Sequence, residues 1–325
     1  MNILFIANPS KVDYQCHCLF HGLHELKDVK LFSLHLQPFM YSDYPKEKRC
    51  DLYGMGFTIT GLIDPSLKNV VNESQAVECI ESKFFDAIIY GHIHRCQDLW
   101  DIVVDNYPRE RIICIDGEDW SMPFLPFLEK KLKIKKNIGR LIGRGKGCEI
   151  DLANNLKRKQ ILNECIPKSI FFKRELDVSL LPDVHPISFA IPACKIVDEV
   201  QSKTRRLAFI RPGELDTYIY KTESDYYKGY QESKWGLTFK KGGWDCLRHY
   251  EILANGCVPY FPDLSDCPNS IMTNFPKQII SYTNLMFENN IDGWEYNYYV
   301  NMLLDYTREN LTTVKLAKQV LFSIF

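Results

Sequence analysis

Gly242-Gly243-Trp244-Asp245-Cys246-Leu247-Arg248-His249-Tyr250-Glu251-Ile252-Leu253-Ala254-Asn255-Gly256-Cys257-Val258-Pro259-Tyr260-Phe261 is the stretch on which the reading of this chain turns. It predicts a glycine turn, one amphipathic helix, a stop at Asn255-Gly256 and a buried strand. The glycine pair allows the backbone close to a ligand and exposes amides at a helix start, where the helix dipole favours an anion. Lys240 and Lys241 add positive charge just ahead of it. Arg248 and Glu251, at i and i+3, share one helix face. An isolated Arg-Glu pair is usually a surface ion pair, but that reading leaves the glycines, the stop and the strand unexplained. The combination suits an α/β pocket for a nucleotide, with phosphate at the helix start and ribose hydroxyls on Glu251.

Working outward, apolar runs at Asn2–Ala7, Val29–Leu34, Phe85–Gly91 and Arg111–Gly117 alternate with helical patterns at Cys16–Leu26, Ser74–Ser82 and Leu99–Tyr107. Strands alternating with helices predict a doubly wound parallel sheet, with ligands at the carboxyl ends of its strands. A further strand is expected at Ile170–Glu175, followed by a proline-rich connection from Leu181 to Pro192 that serves as an interdomain linker. The second half restarts with strands at Arg206–Ile210 and Trp235–Phe239, a helix at Asp225–Gln231, a short strand at Gln278–Ile280, and helices at Glu295–Asn310 and Thr312–Phe325. The expected architecture is two Rossmann-like α/β domains facing across a cleft, over residues 1–185 and 186–310. A terminal helix over 311–325 is expected to pack back on the first.

The 325 residues include 46% hydrophobic and 25% charged positions with a formal net charge of −1. That balance fits a folded globular chain and supplies no global field toward nucleic acid or anionic lipid. The start Met1–Pro9 is too short and too soon broken for a secretory leader, and no apolar run is long enough to span a bilayer, so a cytoplasmic location is expected. Twelve cysteines are scattered through apolar patterns, which suggests reduced, packed thiols. Cys16-His17-Cys18 lacks a second pair at ligand spacing, so no metal site is expected there. Lys130–Lys146 is basic and glycine-rich without a P-loop's Gly-Lys-Ser/Thr. It is read as a solvated loop, with a membrane surface or an anionic acceptor as alternative contacts.

At the strand ends of the first half stand Gly91-His92-Ile93-His94-Arg95 and Ile115-Asp116-Gly117-Glu118-Asp119. A carboxylate or imidazole here can act as a base toward an acceptor hydroxyl, and His92, Asp116, Glu118 and Asp119 are the candidates. Helix capping and sheet-end hydrogen bonding are the plainer roles for the same residues. His94, Asp13, Tyr14 and Gln15 are candidates for acceptor contacts. No Gly-x-Gly-x-x-Gly follows the first strand, which argues against a dinucleotide oxidoreductase and moves the nucleotide to the second domain.

Glu251 to Pro259 resembles the Glu-Ala-x-Ala-x-Gly-x-Pro-Val element of GT-B glycosyltransferases, and Arg248 to Pro259 is similar to the carboxyl-terminal element of exostosin-like glycosyltransferases. The resemblance implies that Glu251 binds the ribose of a nucleotide-sugar donor and that an acceptor lies against the first domain. It also implies that basic residues and helix ends, without a metal or cofactor, receive the departing diphosphate. Lys173, Arg174, Arg211, Lys241 and Arg248 are the basic candidates, and Gly242, Gly243, Trp244 and Asp245 complete the expected donor side. Many retaining relatives carry a second Glu where this chain has Gly243, so retention and inversion both stay open. The acceptor class stays open too, among glycan, lipid-linked sugar, protein, nucleic acid and small metabolite. A nucleotide-sugar epimerase of the same shape and a non-catalytic nucleotide-sugar-binding protein are the alternatives.

Overall fold

The computed structural model describes residues 1–120, 160–176 and 184–324. Among these, the strands β1 (Asn2–Ile6), β2 (Lys30–Ser33), β3 (Ala87–Tyr90), β4 (Ile112–Asp116), β5 (Ile170–Lys173) and β6 (Val184–Pro186) form one sheet. Its order is β2-β1-β3-β4-β5-β6 and every pairing is parallel. A second parallel sheet, β7-β8-β9, is built from Arg205–Leu207, Ser233–Leu237 and Val258–Tyr260. The α/β architecture with two parallel sheets follows the strand-helix alternation of the sequence.

Alternation along the strands explains the layering. Ile3, Phe5, Ile89, Ile113 and Phe172 point to one face of the first sheet, and Leu4, Ile6, Ile88, Tyr90 and Phe171 to the other. A strand buried on both faces must be continuously apolar, as these are. The first face is covered by α1 (Tyr14–His24), whose N-cap Asp13 accepts a hydrogen bond from the Cys16 N–H at 3.2 Å. The opposite face carries α2 (Glu73–Glu81), started by an Asn72/Gln75 capping box, α3 (Trp100–Asn106) and a helix over 160–168 (α4). Cys16 and Cys18 are buried free thiols of α1 in this core. The second unit adds α5 (Glu223–Gln231), α6 (Leu247–Ala254), α7 (Lys277–Glu288) and α8 (Trp294–Asn310). No described helix is long and apolar enough to cross a membrane.

The terminal helix α9 (Thr313–Phe322) lies on α1, with His21 Nδ1 and Thr313 Oγ1 2.9 Å apart. Gly22 is the closest point: a Cβ there would sit 1.9 Å from the Thr313 carbonyl oxygen. β6 straddles the expected boundary at 185/186, so part of the proline-rich connection is a strand of the first sheet. Gln278–Ile280 is not a strand; it belongs to α7, whose buried residues Ile280, Thr283, Asn284 and Met286 follow a helical period. A three-residue apolar run carries no period of its own, and only the longer window separates the two forms. The Lys130–Lys146 segment lies outside the described residues.

A buried arginine fastens the two units together. Arg174, just past β5, donates from Nε and Nη2 to the Gly117 carbonyl at 3.1 and 2.8 Å. Its Nη1 donates to Glu175 Oε1 at 3.1 Å and to the Asp245 carbonyl at 2.7 Å, and Nη2 also reaches Asp119. The guanidinium lies over the Phe189 ring, 4.7 Å from its centroid. Glu175 Oε1 also accepts the Asp245 N–H at 2.9 Å, and Asp245 accepts from the Phe189 N–H at 2.7 Å and the Tyr250 hydroxyl at 3.0 Å. Gly242 and Gly243 are pressed into the same seam. A Cβ would lie 2.4 Å from Asp119 Oδ2 at the first and 2.5 Å from Glu175 Oε1 at the second.

Two outcomes test this packing. Gly22→Ala gains helix propensity worth about 1 kcal/mol at most, but its methyl meets backbone that moves only with the whole of α9. Overpacking of this kind costs about 1–3 kcal/mol, so urea unfolding should show net destabilisation; an unchanged midpoint would contradict the contact. At the seam, burial pushes the Asp245 carboxyl up from 3.8 to about 7, against the pull of Arg174 and the hydrogen bonds it accepts. A raised folded-state value means stability that is complete below 3.8 and lost as pH rises through about 7. Between those limits the wild-type melting temperature should fall relative to that of Asp245→Asn, and parallel pH profiles would refute the burial.

Candidate functional site

The carboxyl ends of β1, β3, β4 and β5 meet in one polar cluster. Asp116, the last residue of β4, is fully buried, and its Oδ2 lies 3.0 Å from Lys173 Nζ and 3.2 Å from His94 Nε2. Its Oδ1 accepts the Glu118 N–H at 3.0 Å. Burial alone would raise the Asp116 pKa, but His94, Lys173 and that N–H together hold it well below the usual carboxylate range. Asp116 therefore remains an anion and positions His94 and Lys173, with no surface of its own for a substrate. Its neighbours differ: Glu118 and Asp119 lie nearer solvent, and Asp119 belongs to the Arg174 seam.

His92 stands at the centre of the remaining polar groups. It is buried, and neither ring nitrogen has a hydrogen-bond partner among the described residues. Nε2 lies 3.5 Å from Asp13 Oδ2 and 3.5 Å from Glu118 Oε1. Arg95 closes the group, with Nη1 2.8 Å from Asp13 Oδ2 and Nε 3.8 Å from Glu118 Oε1. Burial lowers the His92 pKa, against the raising effect of Asp13, which leaves a neutral imidazole at neutral pH. For Asp13, burial is opposed by His92, Arg95 and His17, and the net effect is downward. A neutral ring flanked by two carboxylates can take a proton, and the carboxylates stabilise the resulting cation.

The first turn of α1 links this cluster to the second unit. Asp13 caps the helix and faces His92, while Gln15 Nε2 donates to the Ser188 carbonyl at 3.2 Å. The Tyr14 hydroxyl donates to the Tyr53 carbonyl at 3.1 Å. Burial, and next the negative charge of Glu251, raises the Tyr14 pKa well above its ordinary value.

On the other side, Arg248 and Glu251 share a face of α6 but do not pair with each other. Arg248 Nη2 donates to the Tyr218 hydroxyl at 2.9 Å, and its Nε has no hydrogen-bond partner among the described residues. Glu251 is 7% exposed, its Oε2 accepting from the Tyr226 hydroxyl at 2.5 Å and its Oε1 from the Thr58 hydroxyl. Burial raises the Glu251 pKa, against those two hydrogen bonds and the charge of Arg248. α6 itself begins at Leu247 with Cys246 as its cap, so the helix start is not at Gly243. The glycines instead allow the approach to Glu175 and Asp119 described above. Gly256 ends the helix region with φ of 58°.

The remaining candidates divide plainly. Lys173 is buried against Asp116, and the five N–H donors of Arg174 are all engaged within the protein. Trp244 is buried, with Lys240 Nζ 4.8 Å from its ring centroid, and Lys241 is exposed. Arg211 is exposed and paired with Glu214 at 3.4 Å. Thr58, Tyr226, Arg95 and Glu175 belong to the site without having been singled out from the sequence. The one available signal for Thr58 was the glycine-dense run Gly54–Gly61, and for Glu175 its position beside Arg174 at a strand end.

No family model matches the chain, and no curated protein matches it. The exostosin-like resemblance thus has no family match behind it. Among solved structures, the chain is similar to an alpha-glucosyltransferase in complex with UDP and a 13-mer DNA containing a HMU base. The identity is 10%, the alignment covers 100% of this chain and 99% of that one, and the TM-score is 0.48. A likeness at this level carries nothing about the reaction of this chain.

Proposed function

We propose that this chain is a glycosyltransferase that moves a sugar from a nucleotide-diphosphate donor to an acceptor hydroxyl between its two units. The observation that carries the reading is the convergence on the first turn of α1. His92, with neither ring nitrogen hydrogen-bonded among the described residues, faces its Asp13 cap from the first unit, and the segment that Tyr14 holds at Tyr53 sets Thr58 on the Glu251 carboxylate of the second. A buried imidazole with free nitrogens and a buried carboxylate beside an arginine are the complementary halves of a transfer site.

In this reading Glu251 accepts hydrogen bonds from the donor ribose. Arg248, the amides opening α6 and the exposed Lys240 and Lys241 receive the diphosphate, so the charge that develops on it is met by groups of the chain itself. His92 takes the proton of the acceptor hydroxyl as its oxygen bonds to the anomeric carbon and the bond from that carbon to the diphosphate breaks. Asp13 and Glu118 hold the resulting imidazolium. The absence of a side chain at 243 has a steric cause, since Glu175 Oε1 fills the place where a Cβ would go. Lys173 and Arg174 are assigned supporting positions, because their donors are committed to Asp116 and to the seam.

Two variants separate the halves. His92→Ala should lower kcat for sugar transfer by about 10²–10⁴-fold while donor affinity holds. Glu251→Ala should weaken binding of the nucleotide about 10- to 100-fold, as expected for a hydrogen-bonded charged group, without unfolding the chain. Calorimetric titration against UDP-, GDP- and dTDP-sugars, followed by a transfer assay with the best binder, reads both effects. Undiminished transfer by His92→Ala would remove the base assignment, and unchanged affinity of Glu251→Ala for every nucleotide would remove the donor site.

A further inference from the structure

Tyr53 to Gly61, anchored in the first unit by buried Ile59 and by the Gly61 N–H on the Phe39 carbonyl, reaches across to Glu251. Its backbone is unusual: Gly54, Met55, Gly56, Thr58 and Gly61 all have positive φ, from 57° at Met55 to 74° at Thr58. A β-branched residue such as Thr58 is among the least suited to that region, so its conformation has to be held by contacts elsewhere. Those contacts come from the second unit. The Thr58 N–H donates to Glu223 Oε1, its hydroxyl donates to Glu251 Oε1, and the Tyr227 hydroxyl donates to Thr58 Oγ1 at 2.8 Å. Glu223 is itself held by Lys195 at 2.6 Å, and the Phe57 ring lies 5.6 Å from that of Tyr226 at 31°.

We infer that this segment is a displaceable strap on the donor site, in which the Thr58 hydroxyl holds the place of a donor hydroxyl on Glu251. The inference rests on the reading of Glu251 as the ribose-binding residue. Glu251 is 7% exposed, with fully buried Thr58 on one carboxylate oxygen and Tyr226 on the other, so withdrawal of Thr58 opens the carboxylate to a vicinal diol. Withdrawal releases the left-handed backbone at Thr58, while the three glycines tolerate either conformation. Donor affinity is therefore reduced by the fraction of molecules whose strap is closed.

The test uses the full-length chain with free UDP, GDP and dTDP as probes. Thr58→Gly removes the competing hydroxyl and relieves the backbone, so the Kd of the tightest-binding nucleotide should fall about fivefold, equivalent to one neutral hydrogen bond. Thr58→Ser keeps the hydroxyl and should retain wild-type affinity. In the wild type, saturating nucleotide should accelerate amide hydrogen exchange at 57–59. Unchanged or weaker binding by Thr58→Gly, or exchange that slows on adding nucleotide, would overturn the strap. Binding that Glu251→Ala abolishes but Thr58→Gly leaves unaltered defeats the strap and spares the donor site. Absence of binding by every variant, the wild type included, defeats both.

Discussion

The rest of the structure depends on one buried guanidinium. Arg174 sits where β5 ends, and its five donors tie the Gly117 carbonyl, Asp119, Glu175 and the Asp245 carbonyl into one knot. An unpaired buried charge is costly, so a planar fork with every donor engaged sets a definite geometry for what surrounds it. Through Gly117 it anchors the loop carrying Glu118, and through Asp245 it anchors the turn that leads into α6. The polar groups after β4 and the Arg248-Glu251 face thus share one support. Lysine could not replace it, because a single ammonium lacks the fork.

The same constraint sorts three acidic residues that look alike in sequence. Asp116 is inside and paired with Lys173 and His94, Glu118 faces His92, and Asp119 joins the seam at the solvent edge. Their backbone positions differ by at most three residues, yet one supports the sheet end, one lies beside the unpartnered imidazole and one braces the second unit. Burial and partner, more than residue type, decide which of them can meet a substrate. His92 is distinguished from His94 in the same way: His94 lies against Asp116, whereas His92 has carboxylates at 3.5 Å and no hydrogen bond among the described residues.

Much of the fold was legible because it is local. The apolar runs of β1, β3 and β4 could only be strands covered on both faces, and the Asn255-Gly256 stop is where the chain turns left-handed before β9. The placement of His92, Asp116 and Glu118 at strand ends was legible for the same reason, whereas Asp13 meets His92 from the cap of α1. What stayed hidden is long-range. The Gly242-Gly243 pair reads as a helix start, and only the positions of Glu175 and Asp119 show it to be a close approach between units. The Gln278–Ile280 run lacked the length to declare its period. Thr58 reaches Glu251 from 193 positions away, through a segment with neither helical nor strand alternation. No window of sequence holds both partners.

A crystal structure with the tightest-binding nucleoside diphosphate tests the central claim most directly. The ribose hydroxyls should lie on the Glu251 carboxylate and the diphosphate beside Arg248 at the start of α6. Nucleotide seated elsewhere, for instance in the separate cavity lined by His35, Asp98 and Trp100, with Glu251 still bound to Thr58 and Tyr226, would contradict it.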